Sequence, residues 1–262
     1  MAKIIAVVNQ KGGTGKTTTV ANLAIALRAR GRRVLAVDVD PQASLTFYFG
    51  HDERGLEAQH RTLFWALVGR TAPADLVVGD NPPLIPASIA LAKADVELMA
   101  EPGSSWVLKE SLEPLRDDFD IVLLDCPPTL TLLTVNALAA ADTVLIPVKT
   151  DLLSTLGIGQ LLDTVQKVRR RANPALRITG ILPTLYNARF AHDSDVLAEL
   201  KATYGAYLRV FEPIRRTTLF DRAAGTGSTT VTLDPASDAA RAYGALAAAL
   251  LESLDEPSAS TA

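Results

Sequence analysis

The sequence predicts an α/β protein with a single domain, built on a mostly parallel, twisted sheet that has helices on both faces. Short, β-rich apolar runs alternate along the chain with longer helical patterns, which is typical of parallel strands joined by crossover helices. The runs 121–124 and 144–146 are apolar without alternation, as expected for strands covered on both faces. Because the 262 residues show no break in composition, we expect one domain over residues 1–254 and a frayed, disordered tail over residues 255–262.

The individual elements follow from the apolar periodicity. Runs rich in β-branched and other apolar residues predict strands, at 3–8, 33–38, 96–99, 120–125, 143–148, 177–182 and 208–211. Apolar residues three or four positions apart predict helices, at 17–30, 62–68, 105–116, 131–140, 154–172, 194–204, 217–223 and 235–254. Gly31 ends the first helix, and the segment 52–86 has the least regular pattern.

Charge and cysteine content exclude several classes of function. The 26 basic and 29 acidic residues give a net charge of −3, so no overall positive field draws the chain to nucleic acid or lipid. The single cysteine, Cys126, excludes a disulfide framework and a multi-cysteine metal site. The sequence has neither a signal peptide nor a run of 18 apolar residues, so we expect a cytoplasmic protein that does not bind membranes. The segment 151–222 carries 11 basic and 7 acidic residues and is where a polyanion would dock.

A phosphate-binding loop follows the first strand and leads into the first helix. Its glycines let backbone N–H groups approach phosphates, and the helix N-terminus adds partial positive charge. Lys16 provides a charge for the β and γ phosphates, and the Thr17 hydroxyl is a ligand for Mg²⁺. This arrangement predicts a P-loop NTPase type of fold that binds a nucleotide and Mg²⁺, and the family resemblance described below implies that the nucleotide is ATP. The predicted ATP-binding residues are Lys11, Gly12, Gly13, Thr14, Gly15, Lys16, Thr17 and Thr18.

The loop departs from the usual motif of glycine, four residues and Gly-Lys-Thr. Position 10 is Gln10 where glycine is usual, and a second lysine, Lys11, stands at the loop entrance. This is the deviant pattern KGGxGKT. For binding one nucleotide within one chain, a second cation beside Lys16 and Mg²⁺ is redundant.

Three aspartates follow strands of the predicted sheet. Asp38 and Asp40 come at the end of the second strand, and Asp125 ends the strand at 120–125. The carboxyl ends of parallel strands face the ligand crevice, so we expect all three near the phosphate loop. Thr17, Asp38 and Asp125 are the predicted Mg²⁺ site, and Asp38 and Asp40 are also placed to order water. For Asp38, a simple role as a helix N-cap stays an alternative. Cys126 is interpreted as a small buried core residue.

Taken together, these motifs resemble the ParA branch of the deviant Walker A ATPases, also called the ParA/MinD family. The resemblance covers nearly the whole chain and rests on the blocks 4–18, 37–42, 84–88, 120–128, 134–138, 146–148 and 180–184. It implies a weak ATPase that forms a homodimer around ATP, in which Lys11 reaches the partner's phosphates. It further implies that Gly12 lies at the dimer interface, that Asp40 positions the attacking water, and that Lys11, Lys16 and Asp40 are the catalytic residues.

The resemblance also implies partners. Members of this branch bind DNA non-specifically as ATP dimers, and a ParB-like activator or cargo adaptor releases them by stimulating hydrolysis. We therefore expect a nucleoid-associated protein that segregates or positions DNA or protein cargo. Arg189 matches an arginine of the family, and Arg215 and Arg216 are further DNA-binding candidates in a region that departs from the family pattern. A dimer that presents all three on one face would contact about six phosphates. Its slope of log K against log salt would then be about −5.

Two alternatives are distinguishable in the sequence. A membrane-associated, MinD-like positioning ATPase needs a basic amphipathic C-terminal helix, whereas this chain ends in an acidic segment. An electron-transfer or ligase enzyme on the same fold is the second alternative. The electron-transfer version, a nitrogenase-type iron protein, needs two cluster cysteines per subunit, and this chain has one cysteine.

Overall fold

The structure is a computed structural model that describes residues 1–99 and 102–255. Within that part of the chain, six strands form one sheet: β1 (Lys3–Val7), β2 (Val34–Asp38), β3 (Leu84–Ile85), β4 (Ile121–Asp125), β5 (Thr143–Lys149) and β6 (Arg177–Thr184). Their order is β3-β2-β4-β1-β5-β6, and every neighbouring pair is parallel. The predicted fold class is therefore confirmed.

Helices precede and follow the strands, as parallel connections require. The α-helices in the described residues are α1 (Lys16–Arg28), α2 (Ser44–Tyr48), α3 (Glu53–Ala58), α4 (Leu63–Leu67), α5 (Ala94–Glu97), α6 (Val107–Leu112), α7 (Leu132–Ala140), α8 (Leu152–Arg171), α9 (Ala191–Tyr204), α10 (Leu219–Gly225), α11 (Thr230–Leu233) and α12 (Asp238–Asp255). The short helices α2 and α3 were not predicted, because each is too short to show a helical period.

The core lies in two layers, one on each face of the sheet. Alternation along β1 sends Ile4 and Ala6 to one layer and Ile5 and Val7 to the other. The first layer is closed by α6, α7 and α8, and the second by α1 and α12. All four of these β1 side chains are fully buried, because both faces of the strand are covered. The sequence of the strand is therefore apolar at consecutive positions and does not alternate between apolar and polar residues.

Two strand predictions were wrong. The segment 96–99 is the end of α5 and the turn after it, where Val96 is 74% exposed and Met99 is 73% exposed, while Leu98 is buried. The edge strand of the sheet is instead Leu84–Ile85, which pairs with Ala36 and Val37 of β2. Composition favoured 96–99, but burial against the sheet decides which segment pairs.

The predicted strand at 208–211 is reduced to a single parallel bridge between Ile181 and Val210. The two segments cross closely, since a Cβ added to Gly180 would lie 2.3 Å from the carbonyl oxygen of Arg209. Gly180 therefore permits the approach. Helix α12 extends to Asp255, and positions 256–262 of the predicted tail lie outside the described residues. The division into one domain and a tail stays a prediction.

Candidate nucleotide-binding site

The loop between β1 and α1 has the conformation of a phosphate cradle. Gly13 and Gly15 have φ of 69° and 80°, in the left-handed region that glycine adopts without strain. Gly15 is the N-cap of α1 and provides no side-chain cap, so the first N–H groups of the helix stay available for an anion. The Thr184 hydroxyl, at the end of β6, donates to the carbonyl oxygen of Thr14 at 2.8 Å and ties the loop to the sheet edge strand β6.

Lys16 begins α1 and is folded back over the loop. Its side chain is buried, and Nζ donates to the carbonyl oxygen of Lys11 at 3.3 Å. Burial lowers the pKa of the Lys16 amine, while the carboxylates of Asp125 and Asp40 act in the opposite direction. The ammonium is thus held at the loop, close to acidic groups. Burial removes the water that would stabilise its charge, and a bound phosphate would stabilise that charge instead.

Asp38, Asp40 and Asp125 lie near one another, as predicted. Asp38 and Asp125 are partners in the register between β2 and β4, and both are fully buried. Burial raises the pKa of Asp38 to about 7, against the effect of hydrogen bonds from Thr46 and Asp40. Burial also raises the pKa of Asp125 well above its usual range, and the charge of Asp38 adds to that effect. A divalent cation between these groups and a phosphate would stabilise their charged forms.

The surroundings of Asp125 fit Mg²⁺. Both of its carboxylate oxygens are buried without a hydrogen-bond partner among the described residues. The Thr17 hydroxyl lies close enough to lower the pKa of Asp125, although the two do not form a hydrogen bond of normal geometry. No cluster of three or more His, Cys, Asp or Glu side chains with metal-binding geometry occurs in the described ranges. Mg²⁺ is usually held by one or two protein oxygens plus water and phosphate, so a sparse ligand set suits it.

Asp40 and Cys126 occupy different environments beside these groups. Asp40 is half-buried, and one of its carboxylate oxygens accepts from the N–H of Gln42 at 2.9 Å. The carboxylate therefore has a fixed direction before any ligand binds. Cys126 is fully buried, and burial raises the pKa of its thiol, as expected of a core residue.

A cavity of about 920 Å³ opens beside the loop. That size suits a nucleotide. Its lining includes residues 12–18 and Asp40 together with Arg216, Thr217 and Phe220. Arg216 was predicted to face DNA, but it contributes to this wall together with Thr184 and Lys149.

Lys11 forms a contact that the sequence did not reveal. Its Nζ lies 2.9 Å from a carboxylate oxygen of Asp151, and Nζ of Lys149 lies 3.1 Å from the other oxygen. Asp151 follows β5, which lies next to β1 in the sheet. Lys11 and Asp151 are 140 positions apart. The only sequence signal for this contact is that each residue follows a predicted strand, at the same edge of the sheet. Lys11, unlike residues 12–18, is not among the residues that line the cavity.

Comparison with known proteins decides the family. A family model described as an AAA domain matches residues 2–178. The chromosome-partitioning ATPase Soj of Thermus thermophilus is 41% identical over 255 residues, covering 96% of both chains. The chromosome partitioning protein ParA of Caulobacter vibrioides is 38% identical over 208 residues, covering 78% of this chain and 77% of the relative. The chain belongs to the ParA/MinD family of ATPases.

A solved structure of a similar protein shows what that protein binds. It is named cobyrinic acid a,c-diamide synthase, comes from Mycobacterium smegmatis, and contains an ATP analogue and magnesium. It is 40% identical to this ParA/MinD family member, has a TM-score of 0.87, and the match covers 98% of this chain and 96% of that one. The similarity extends over the whole site described above.

The DNA-binding candidates lie at the same edge of the sheet as the cavity. Tyr186 forms a parallel bridge with Arg215, and the N–H of Arg216 donates to the carbonyl oxygen of Tyr186. Arg189 lies in the same loop as Tyr186, and all three arginines are exposed. The structure therefore places Arg189, Arg215 and Arg216 on adjoining segments. In the described part of the chain, no helix is both long enough and apolar enough to cross a membrane.

Proposed function

We propose that this chain is a Mg²⁺-dependent ATPase that dimerises on ATP, binds DNA non-specifically as the dimer, and positions DNA or protein cargo through partner-stimulated hydrolysis. The observation that carries the proposal is the different placement of two lysines on one loop. Lys16 lines the cavity, whereas Lys11 is not among the lining residues and its Nζ pairs with Asp151. A lysine that does not line its own cavity can reach a second chain's nucleotide by exchanging its contacts within its own chain, including the one with Asp151.

The proposed roles follow from these environments. Lys16 and the N–H groups of residues 12–18 hold the phosphates, and Thr17 and Asp125 hold Mg²⁺, which supplies charge compensation for the transferred phosphoryl group. Asp40 orients the attacking water, and Asp38 is a further candidate for ordering a metal-bound water. Intrinsic hydrolysis is slow in this scheme, because the cation completing the site comes from the partner chain.

The names of the relatives support a role in partition. Soj and ParA are named for chromosome partitioning, and both are similar to this chain over most of its length. We infer a ParB-like DNA-binding activator or another cargo adaptor as partner, and a location on the nucleoid. Adding such a partner to the ATP-bound dimer on DNA should raise ADP production and release the protein.

Removing Arg189 or Arg215 should weaken DNA binding without changing ATP binding. Both are exposed and neither lines the cavity, so both are accessible to DNA. In a dimer, the two copies of each arginine would contact about four phosphates, which gives a slope of log K against log salt near −3.5. Each arginine removed should flatten that slope by about two per dimer. Fluorescence anisotropy with two unrelated duplexes, using Asp40→Ala protein with ATP or ADP, measures both quantities.

Arg216→Ala separates the two surfaces. Because Arg216 lines the cavity, its loss should weaken ATP binding, and DNA binding should fall with it because the proposed DNA-binding form is the ATP-bound dimer. Arg32→Ala, which removes an exposed arginine after α1, is the matched control and should change neither. DNA binding that ignores the nucleotide, or that survives loss of all three candidates, contradicts the surface proposed here.

Replacing Asp151 by asparagine should ease dimerisation. In the single chain Lys11 is held by Asp151, and both side chains are partly exposed, 37% for Lys11 and 25% for Asp151. Such pairs contribute at most about 1 kcal/mol, so Asp151→Asn should lower the ATP concentration for half-maximal dimerisation by about fivefold. Light scattering of Asp40→Ala protein during an ATP titration measures this shift. Asp163→Asn, an exposed acid on α8, is the control, and unchanged or weaker dimerisation in Asp151→Asn contradicts the prediction.

An amide-forming synthase is a second candidate, because the M. smegmatis structure carries that name. When glutamine is the source of ammonia, such chemistry needs a nucleophilic thiol. The only cysteine of this chain, Cys126, is fully buried with a raised pKa. ADP formation with Mg²⁺ and ATP alone supports the ATPase, whereas a strict requirement for a carboxylic acid and ammonia would favour the synthase.

A further inference from the structure

The loop that carries Asp40 is held by the buried carboxylate of Asp38. One carboxylate oxygen of Asp38 accepts from the backbone N–H of Asp40 at 3.2 Å. The other accepts twice from Thr46, from its backbone N–H and from its hydroxyl, both at 2.8 Å. The two oxygens are thus shared between the loop and the helix α2, so a rotation of this carboxylate would change both sets of bonds.

Thr46 joins a third element to this arrangement. Its side chain is fully buried, and its hydroxyl oxygen accepts from the N–H of Ala87 at 2.9 Å while the hydroxyl proton goes to Asp38. Ala87 lies two residues beyond the edge strand β3. One hydroxyl therefore connects the ends of β2 and β3 through α2, and its donor and one acceptor position are both in use.

We infer that Thr46 is a positioning residue for ATP hydrolysis, whose hydroxyl fixes the Asp38 carboxylate and through it the loop carrying Asp40. The inference rests on the proposed role of Asp40 in orienting water. It also assigns Asp38 the role of connecting α2 to the loop that carries Asp40, because three donors from these two segments already bind its two oxygens. Asp125, whose oxygens have no such donors among the described residues, is the better placed of the two for Mg²⁺.

Geometry explains why this hydroxyl matters to the reaction rather than to the fold alone. The Asp40 N–H bond at 3.2 Å is at the long end of the normal range, so by itself it holds the loop weakly. Without the hydroxyl, that oxygen keeps only the backbone N–H of position 46, and because a buried carboxylate with fewer donors is destabilised, we expect its orientation to change. Asp40 would then move relative to a nucleotide that residues 12–18 continue to hold, since Thr46 is not among the residues that line the cavity.

Thr46→Val and Thr46→Ser form the test. Valine keeps the shape and removes the hydroxyl, and serine keeps the hydroxyl. Because a displacement of about 1 Å at a reacting group costs about 100-fold, Thr46→Val should lower kcat by about 10- to 100-fold. ATP binding, measured with a fluorescent analogue, should change less than about threefold, and Thr46→Ser should retain kcat within about threefold. If the melting curve of Thr46→Val shows that this variant is not folded, Thr46→Ala, which also lacks the hydroxyl, takes its place.

A double variant separates this inference from the proposed function. If Thr46 acts through Asp40, Thr46→Val adds no further loss to Asp40→Ala, and the two effects are non-additive. Normal kcat in folded Thr46→Val, equal losses in the serine and valine variants, or a parallel loss of ATP binding overturns the positioning role. If Asp40→Ala itself hydrolyses ATP normally, the proposed role of Asp40 fails instead.

Discussion

Lys16→Ala should abolish ATP binding, whereas Asp40→Ala should bind ATP normally and hydrolyse it about 100- to 1000-fold more slowly. Lys16 is buried at the loop and lines the cavity, so its ammonium is the charge that a bound triphosphate meets. Truncating one partner of a buried, hydrogen-bonded charge pair costs several kcal/mol, which corresponds to a loss of affinity of about 100-fold or more. The Asp40 carboxylate is oriented by the N–H of Gln42 and not by the phosphate-binding loop. Losing a group that orients water lowers kcat by about 100- to 1000-fold.

Two measurements make this comparison. Equilibrium binding of a fluorescent ATP analogue in Mg²⁺ reports affinity, and ADP release under saturating ATP reports turnover. Lys109→Ala, which removes an exposed lysine from α6, should leave both unchanged. Equal loss of ATP binding in Lys16→Ala and Asp40→Ala would contradict the division of roles.

Local signals predicted the central strands and the loop well. β1, β4 and β5 are buried on both faces, so their apolar runs alone mark them, and the glycines and Lys16 are contiguous in sequence. The edge strand could not be predicted in this way. Leu84–Ile85 has two residues and is defined only by its pairing with β2. The prediction at 96–99 followed β-propensity, which gives no information about whether a segment reaches the sheet.

The contacts that refine the site are all non-local. The cluster of Asp38, Asp40 and Asp125 was predictable because parallel strands end at one edge of a sheet. By contrast, the contact between Lys11 and Asp151 and the wall formed by Arg216 depend on loops whose path no short pattern specifies. Thr46 belongs to no sequence motif that indicates a role, and only the hydrogen bonds of its buried hydroxyl identify it as a candidate positioning residue.

Lys11→Ala should remain monomeric with ATP while still binding the nucleotide. Two chains that each present a triphosphate repel one another unless cations lie between them, and Lys11 is the loop lysine that does not line its own cavity. Losing two such cations per dimer should weaken dimerisation by about 100-fold or more. The fold should tolerate the change, because Asp151 keeps its ion pair with Lys149.

The comparison is made in the hydrolysis-deficient background. Asp40→Ala with ATP should have the mass of a dimer by light scattering, and Asp40→Ala carrying Lys11→Ala should have the mass of a monomer at the same ATP saturation. Lys109→Ala in that background should still dimerise. Since Arg189 and Arg215 are aligned in pairs only in a dimer, the Lys11 variant should also lose tight DNA binding, although its arginines are intact. A dimer in both proteins would remove the case for a lysine acting across the subunit interface, and tight DNA binding by the monomer would remove dimerisation as the switch.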